Sequence, residues 1–290
     1  MTSADVKASL HAASALPSES AAPENSAAPA AASAAKTGYV RWSICALLLV
    51  ATTINYVDRQ VIGILKPTLV QEFGWSDERI YAAIVVGFQL AYSIGLALGG
   101  RFIDRVGLRI GFVCAVVVWS LAAAGHAVAH RLGGFELPAI IIDPKLGFGL
   151  MTLGGAAAGF ALMRFLLGLG EAVNFPASIK AVAEWFPKRE RAFATGLFNS
   201  GSNIGALLTP LIVPWIALHW GWQWAFIGTG LSGLLWVFAW LAFYRSPEAH
   251  PRLSKAELAF INSDPPDPPA GKVRTAVLLR RRQTYAFALG

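Results

Sequence analysis

Two combinations of an acid and an arginine lie inside long apolar stretches of this chain. Asp58 and Arg59 are adjacent in one stretch, and Arg164 and Glu171 are seven residues apart in another. A charged side chain in the core of a bilayer costs about 2.5–3.5 kcal/mol, so it normally marks a pathway or a binding site. We therefore expect the chain to handle an ion, an anionic solute, or both.

The composition predicts that these stretches lie in a membrane. The chain has 290 residues, of which 55% are hydrophobic and only 14% are charged, whereas soluble domains are about 25% charged. The net charge of +7 does not indicate a nucleic-acid partner, because the basic residues fall between apolar stretches and form no single patch. The sequence therefore predicts an integral protein of the lipid bilayer.

The apolar stretches predict an all-α integral membrane protein with a six-helix bundle. A window of about 20 residues is the length that crosses a bilayer as a helix. The charge-free stretch 192–244 is too long for one crossing, and its polar and aromatic break at 219–224 divides it into spans 5 and 6. The first four predicted spans cover about residues 41–65, 80–100, 110–130 and 151–176.

The segments around the bundle 37–245 also carry predictions. Residues 1–36 are rich in Ala, Ser and Pro, which predicts a disordered tail. Residues 246–283 are polar and predict a linker, and 284–290 predict the start of a seventh helix in a chain that looks incomplete. Arg and Lys concentrate in the segments on the side of the amino terminus, so the positive-inside rule places that terminus and the linker in the cytoplasm of a plasma (inner) membrane.

Several motifs resemble one transporter family. Gly100-Arg-Phe-Ile-Asp104-Arg105-Val-Gly107-Leu-Arg109 has the form of the signature loop between the second and third helices of the major facilitator superfamily. Residues 164–171 resemble the fourth-helix motif of that superfamily, and 55–59, 171–177 and 184–191 are similar to its anion:cation symporter branch. The motif 198–205 is most similar to the hexuronate (glucuronate and galacturonate) transporters of that branch. The resemblance covers the first half of a twelve-helix fold.

The resemblance implies roles for the charged residues inside the spans. Arg59 contacts the carboxylate of the substrate, and its planar guanidinium suits that task chemically. Asp58 and Glu171 carry the coupling proton, and Arg164 modulates an acid on another span, for which Asp58 is the candidate. Static salt bridges that hold the spans together are the alternative for Asp58, Arg59 and Glu171, and snorkelling toward the cytoplasmic face is the alternative for Arg164.

Neutral polar side chains are the candidates for recognising the hydroxyl groups of a sugar. Tyr92 matches a binding tyrosine of the family by its spacing from Asp104. Hydrogen bonding between helices is the alternative role for these side chains. The full set of candidates is Tyr56, Tyr92, Asn199, Ser202 and Asn203.

The signature loop itself predicts a cytoplasmic gate. Glycines let the loop turn, and its charges can clamp helix ends together. Plain positive-inside anchoring is the alternative, but an acid adds nothing to such anchoring. The predicted gate residues are Gly100, Asp104, Arg105, Gly107 and Arg109.

Together these features predict a proton-coupled symporter of sugar-acid anions that works by alternating access. The coupling ion is the proton, and we expect no metal, no other cofactor and no enzymatic activity. The second six-helix bundle, or a second copy of the chain, is an expected partner. The alternatives are a transporter of another organic anion, such as an aldonate or an aromatic carboxylate, and a non-transporting membrane sensor or scaffold.

Overall fold

The computed structural model describes residues 38–132, 134–143, 147–265 and 281–283. The predicted tail 1–36, the predicted start of a seventh helix at 284–290 and most of the carboxyl-terminal part of the predicted linker lie outside the described residues.

Within the described residues, six helices are long and apolar enough to cross a membrane, as predicted. Span 5 is interrupted at Ser200 and span 6 starts after Gly221, so the division at the aromatic break is confirmed. The spans are Val40–Ile64, Glu78–Val106, Leu108–Leu132, Gly155–Trp185, Lys188–Trp220 and Trp222–Phe243.

Four further elements lie between or after the spans within the described part of the chain. A short helix follows span 1, a β-hairpin lies between spans 3 and 4, and a single 3-10 turn and a short helix follow span 6. The predicted linker therefore contains regular structure in its first part. These elements are Lys66–Phe73, the strands Leu137–Asp143 and Gly147–Leu153, Pro247–Ala249, and Lys255–Ile261.

The β-hairpin corrects the predicted start of span 4. Its strands pair antiparallel, with Leu137 opposite Leu153 and Ile140 opposite Leu150. Residues 151–153, which were expected to begin the span, are the end of the second strand, and the helix starts at Gly155. The apolar residues of the strand continue into those of the span, so hydropathy alone does not separate them.

Span 4 is broken immediately after Glu171. Its first segment is Gly155–Glu171 and its second segment is Asn174–Trp185. Pro176 has no N–H to donate to the carbonyl of Ala172, and its ring crowds that carbonyl, so a regular helix cannot continue across this turn. The break puts Glu171 at the end of one rigid segment and Asn174 at the start of the next.

Span 4, which carries Arg164 and Glu171, packs closely on span 2. A side chain at Gly168 would place its Cβ 2.6 Å from the carbonyl oxygen of Phe88, so only glycine allows the helices to approach this closely. Small interfacial residues of this kind are how membrane helices make contact.

A buried ion cluster closes the end of the bundle at which span 1 begins, which we call the Arg41 end. Arg41 donates to Glu190 at 3.0 Å and to Glu257 at 3.1 Å, and both Arg41 and Glu257 are buried. Arg41 also donates to the carbonyl of Gly38 at 2.8 Å and lies over the ring of Phe260. The cluster fixes the short helix Lys255–Ile261 to the starts of spans 1 and 5.

Replacing Arg41 by alanine is expected to lower the free energy of unfolding by about 3–5 kcal/mol, because it leaves the buried Glu257 carboxylate without a counter-charge. Chemical denaturation in mixed micelles measures the change. The matched control is Arg79→Ala, whose pair with Asp77 is exposed and should contribute less than about 1 kcal/mol. Equal losses in the two variants would contradict the importance of the cluster.

Candidate functional site

Arg59 and Glu171, which were predicted as a substrate residue and a proton carrier, form an ion pair between spans 1 and 4. The Nε and Nη2 atoms of Arg59 both donate to Oε2 of Glu171, each at 3.1 Å. The Glu171 side chain is 0% exposed, whereas the Arg59 side chain is 27% exposed. The guanidinium of Arg59 is therefore partly accessible from outside the protein interior, whereas the carboxylate of Glu171 is not.

Aromatic rings surround the guanidinium of Arg59. Its Cζ atom lies 5.0 Å from the ring centre of Tyr56, 5.3 Å from that of Phe88 and 4.6 Å from that of Tyr92. Such contacts hold a cation in place while leaving its hydrogen-bond donors free for an anion. Tyr56 and Tyr92, both predicted as substrate residues, thus lie beside Arg59.

Asp58 and Arg164 lie in the same interior but do not pair with each other. Nη2 of Arg164 donates to the backbone carbonyl of Arg59 at 2.8 Å, and its Nε and Nη1 have no hydrogen-bond partner among the described residues. Both carboxylate oxygens of buried Asp58 also lack one there. No hydrogen bond or ion pair therefore joins Arg164 to Asp58 among the described residues, and the influence of Arg164 on that acid stays a prediction.

A cavity of about 310 Å³ opens beside this interior, and Arg59 and Arg164 both line it. That volume is at the lower end of the range for small-molecule sites. Two cationic groups in an otherwise largely apolar wall suit a small anion. The other lining residues are Gln60, Ile62, Gly63, Ile64, Tyr81, Val85, Phe88 and Gln89.

All eight of these other lining residues were missed by the sequence analysis, and four of them carry amide or aromatic side chains. Gln60 and Gln89 carry amides inside predicted spans, and a search of the spans for uncharged hydrogen-bonding groups would have found them. Tyr81 and Phe88 lie on span 2 at a spacing of seven residues, which puts them on one face of the helix. Without knowledge of which face meets span 1, that spacing does not distinguish them from core residues.

The span 5 candidates Asn199, Ser202 and Asn203 do not lie at this cavity. Their neighbour Gly201 packs on Leu49 and Thr53 of span 1, about two turns, or about 12 Å, along that helix from Arg59. Asn199 and Asn203 are exposed, and the Ser202 hydroxyl donates to the carbonyl of Asn199 at 2.7 Å. Their role in hydroxyl recognition stays a prediction.

The predicted gate residues lie together at the Arg41 end. Gly107 is the single residue between spans 2 and 3. Its φ of +86° is a backbone conformation that favours glycine. Asp104 accepts from Lys180 of span 4 at 2.6 Å, and Arg109 donates to the carbonyl of Leu241 at 2.6 Å.

These contacts tie four spans of the same bundle to one another. Gly100 and Arg105 lie in the last turns of span 2, and Arg105 is exposed. Lys180, the ion-pair partner of Asp104, lies far from the loop in sequence and was missed. Whether the loop acts as a gate stays a prediction.

Comparison with known proteins places the chain in a family. Residues 48–290 match the family profile of the Major Facilitator Superfamily. In structure, the chain is similar to the proton:xylose symporter XylE of E. coli, with a TM-score of 0.61 and 20% identity over 78% of this chain and 50% of that one. At that identity, the likeness shows the fold alone.

Two curated relatives are more similar in sequence. The galacturonate transporter of Dickeya chrysanthemi is 32% identical over 86% of this chain and 66% of its own length. The D-galactonate transporter of Escherichia coli O6:H1 is 34% identical over 79% of this chain and 47% of its own length. The chain therefore spans about half to two thirds of the length of these relatives. It belongs to the Major Facilitator Superfamily, a family of transporters and not of enzymes, and it is a multi-pass membrane protein.

Proposed function

We propose that this chain is part of a proton-coupled symporter that takes up sugar-acid anions, and hexuronates such as galacturonate in particular, by alternating access. The observation that carries the proposal is the Arg59–Glu171 pair, in which a partly exposed arginine faces a cavity and is held by a fully buried acid. The names of the sugar-acid transporters among its relatives support the substrate class.

The proposed mechanism is an exchange of partners at Arg59. When Glu171 is ionised, it occupies Nε and Nη2 of the guanidinium. A proton that binds Glu171 removes its charge, and the arginine can then bind the carboxylate of the incoming sugar acid. Substrate binding and proton binding thus favour each other, which is the coupling that symport requires.

Asp58 and Arg164 complete the proposed site. The carboxylate of Asp58 is buried without a hydrogen-bond partner among the described residues, so it is the second candidate proton carrier beside Glu171. Arg164 lines the cavity beside Arg59, so it provides a second positive charge that attracts the anion. Tyr56 and Tyr92 flank the guanidinium and are placed to contact the sugar.

The proposal includes an orientation and a partner. The Arg41 end, with its basic residues, lies in the cytoplasm, and the membrane is the plasma (inner) membrane. Alternating access needs two bundles that move against each other around a site near the midplane. A second six-helix bundle, or a second copy of this chain, therefore supplies the other wall of the site.

Uptake of labelled galacturonate by proteoliposomes that contain the chain together with the second six-helix bundle tests the function. With the lumen more alkaline than the outside, we expect accumulation that a protonophore abolishes. Uptake that ignores the pH gradient would contradict proton coupling. Binding of galacturonate without any uptake would instead support a sensor or scaffold.

An aldonate is the second candidate substrate, because a D-galactonate transporter is also among the relatives. Both anions present a carboxylate to Arg59, but galacturonate is a ring whereas galactonate is an open chain. Competition for labelled galacturonate by unlabelled galactonate separates the two. Stronger competition by galactonate than by galacturonate itself would assign the aldonate as the preferred substrate.

A further inference from the structure

A group of neutral polar side chains lies between spans 1 and 4, on the side of the acids that faces the Arg41 end. We call it the polar seam, and it consists of Thr52, Asn55, Asn174 and Ser178. All four residues are buried. None of them is a charged residue of the proposed site.

The residues of the polar seam lie on the same helix faces as Asp58 of span 1 and Glu171 of span 4. On span 1, Asn55 precedes Asp58 by three residues and follows Thr52 by three, and these spacings keep the residues on one side of the helix. On span 4, Asn174 follows Glu171 by three residues and precedes Ser178 by four. The two faces meet, because Nδ2 of Asn174 donates to Oγ1 of Thr52 at 3.3 Å.

Three of the six side-chain polar atoms of the seam lack a hydrogen-bond partner among the described residues. Nδ2 of Asn55, Oδ1 of Asn174 and Oγ of Ser178 have no hydrogen-bond partner among the described residues, and neither has Oε1 of Glu171. Leaving such an atom dry and unpaired costs about 1–3 kcal/mol, and most buried polar atoms in proteins are paired. Their accumulation along one interface favours a second conformation in which water reaches them.

The break in span 4 supplies a joint for such a change. The segment Asn174–Trp185 is separated from the segment that ends at Glu171 by Ala172 and Val173, and Pro176 removes a backbone hydrogen bond across the break. Its contact with span 1 includes a single long hydrogen bond between neutral groups, from Asn174 to Thr52. This segment can therefore separate from span 1 while Glu171 stays in place.

We propose that the polar seam is a gated water path. When the segment Asn174–Trp185 separates from span 1, water enters between Asn55, Asn174 and Ser178 and connects Glu171 to the Arg41 end. A proton then leaves the carboxyl group of Glu171 for the adjacent water and passes to the aqueous side, while the amides and hydroxyls only exchange hydrogen bonds. The opening of the seam is independent of the proposed function, but its use as a proton route rests on it.

Cysteine accessibility tests the opening of the seam without any substrate. Cys45 and Cys114 are first replaced by alanine, because both are free thiols, and Ser178→Cys is introduced into the chain in nanodiscs. The matched control is Ala177→Cys, an adjacent position that is also 0% exposed but packs in the apolar cluster. Modification by aminoethyl methanethiosulfonate reports how often each thiol meets water.

We expect Ser178→Cys to react about 10-fold faster than Ala177→Cys, since the rate follows the population of the open form. Thr52→Val removes the hydrogen bond that closes the seam and should raise the rate at position 178 severalfold while leaving position 177 unchanged. Equal slow rates at 177 and 178, or no response to Thr52→Val, would overturn the proposal. If Ser178→Cys does not fold, Asn55→Cys takes its place against the same control.

A separate transport measurement tests whether the polar seam carries the proton. Asn174→Leu closes the seam with an apolar side chain, so it should slow gradient-driven uptake of galacturonate while leaving galacturonate binding intact. If cysteine accessibility behaves as expected but uptake is unaffected by Asn174→Leu, the seam opens without serving as the route. If no sugar acid binds at all, the proposed function fails while the accessibility result stands.

Discussion

Replacing Arg59 by alanine is expected to weaken galacturonate binding by about 30-fold or more. Truncating one partner of a hydrogen-bonded charge pair in this way costs about 2–5 kcal/mol. The substrate carboxylate would enter a largely apolar cavity without its main counter-charge, and the remaining cation, Arg164, already donates to the backbone of Arg59. Scintillation proximity binding with the chain in nanodiscs measures the loss.

Two further variants test whether the loss of binding comes from the missing guanidinium group of Arg59. Arg59→Lys keeps the positive charge but has no planar fork, so its binding should be intermediate between alanine and the unaltered chain. Arg79→Ala removes an exposed arginine that does not line the cavity and should leave binding unchanged. Unaltered binding in Arg59→Ala would show that the carboxylate does not bind at Arg59.

Replacing Glu171 by glutamine is expected to abolish the effect of the pH gradient on uptake while preserving galacturonate binding. A glutamine cannot gain or lose the proton, and it holds Arg59 only by a bond between a cation and a neutral group, which is weaker than the ion pair. The arginine is then permanently available to the anion. Uptake with and without a gradient, together with equilibrium binding, separates the two effects.

The matched control for this prediction is another acid of span 4. Glu184 accepts a hydrogen bond from the Tyr244 hydroxyl at 2.7 Å near the Arg41 end, and the amide of Glu184→Gln can still accept it. This variant should retain gradient-driven uptake. Gradient-driven uptake that persists in Glu171→Gln would assign the coupling proton to a different group, for which Asp58 is then the candidate, tested in the same way by Asp58→Asn.

The sequence was sufficient to find the charged residues of the site. Asp58, Arg59 and Glu171 are conspicuous because nothing but function or pairing explains a charge inside an apolar stretch. The same contrast between apolar and polar segments located all six spans. These inferences depend only on residue type and position along the chain, which is why they did not require the structure.

The pairing of these residues could not be predicted in the same way. The expectation for Arg164 was an acid on another span, yet its side chain donates to the carbonyl of Arg59. Which group an arginine reaches depends on the rotation of each helix, and that rotation is set by contacts such as Gly168 on Phe88. A single sequence shows the glycine but not the surface that it meets.

The local structure between the spans could also not be predicted from the sequence. The strand Leu137–Asp143 is only 7 residues long, and a window of about 20 residues averages such a segment with its neighbours. Pro176 was visible in the sequence, but a proline can kink a membrane helix or begin a new one. Only the structure shows that the break separates Glu171 from Asn174.

The most direct test of the account is an experimental structure determined with galacturonate bound. We expect the carboxylate of the sugar to lie about 3 Å from the guanidinium nitrogens of Arg59, the distance of a charge-assisted hydrogen bond, with Glu171 withdrawn from Nε and Nη2. A bound sugar acid located elsewhere, with the Arg59–Glu171 pair intact at its present 3.1 Å, would contradict the exchange of partners on which the proposed symport depends.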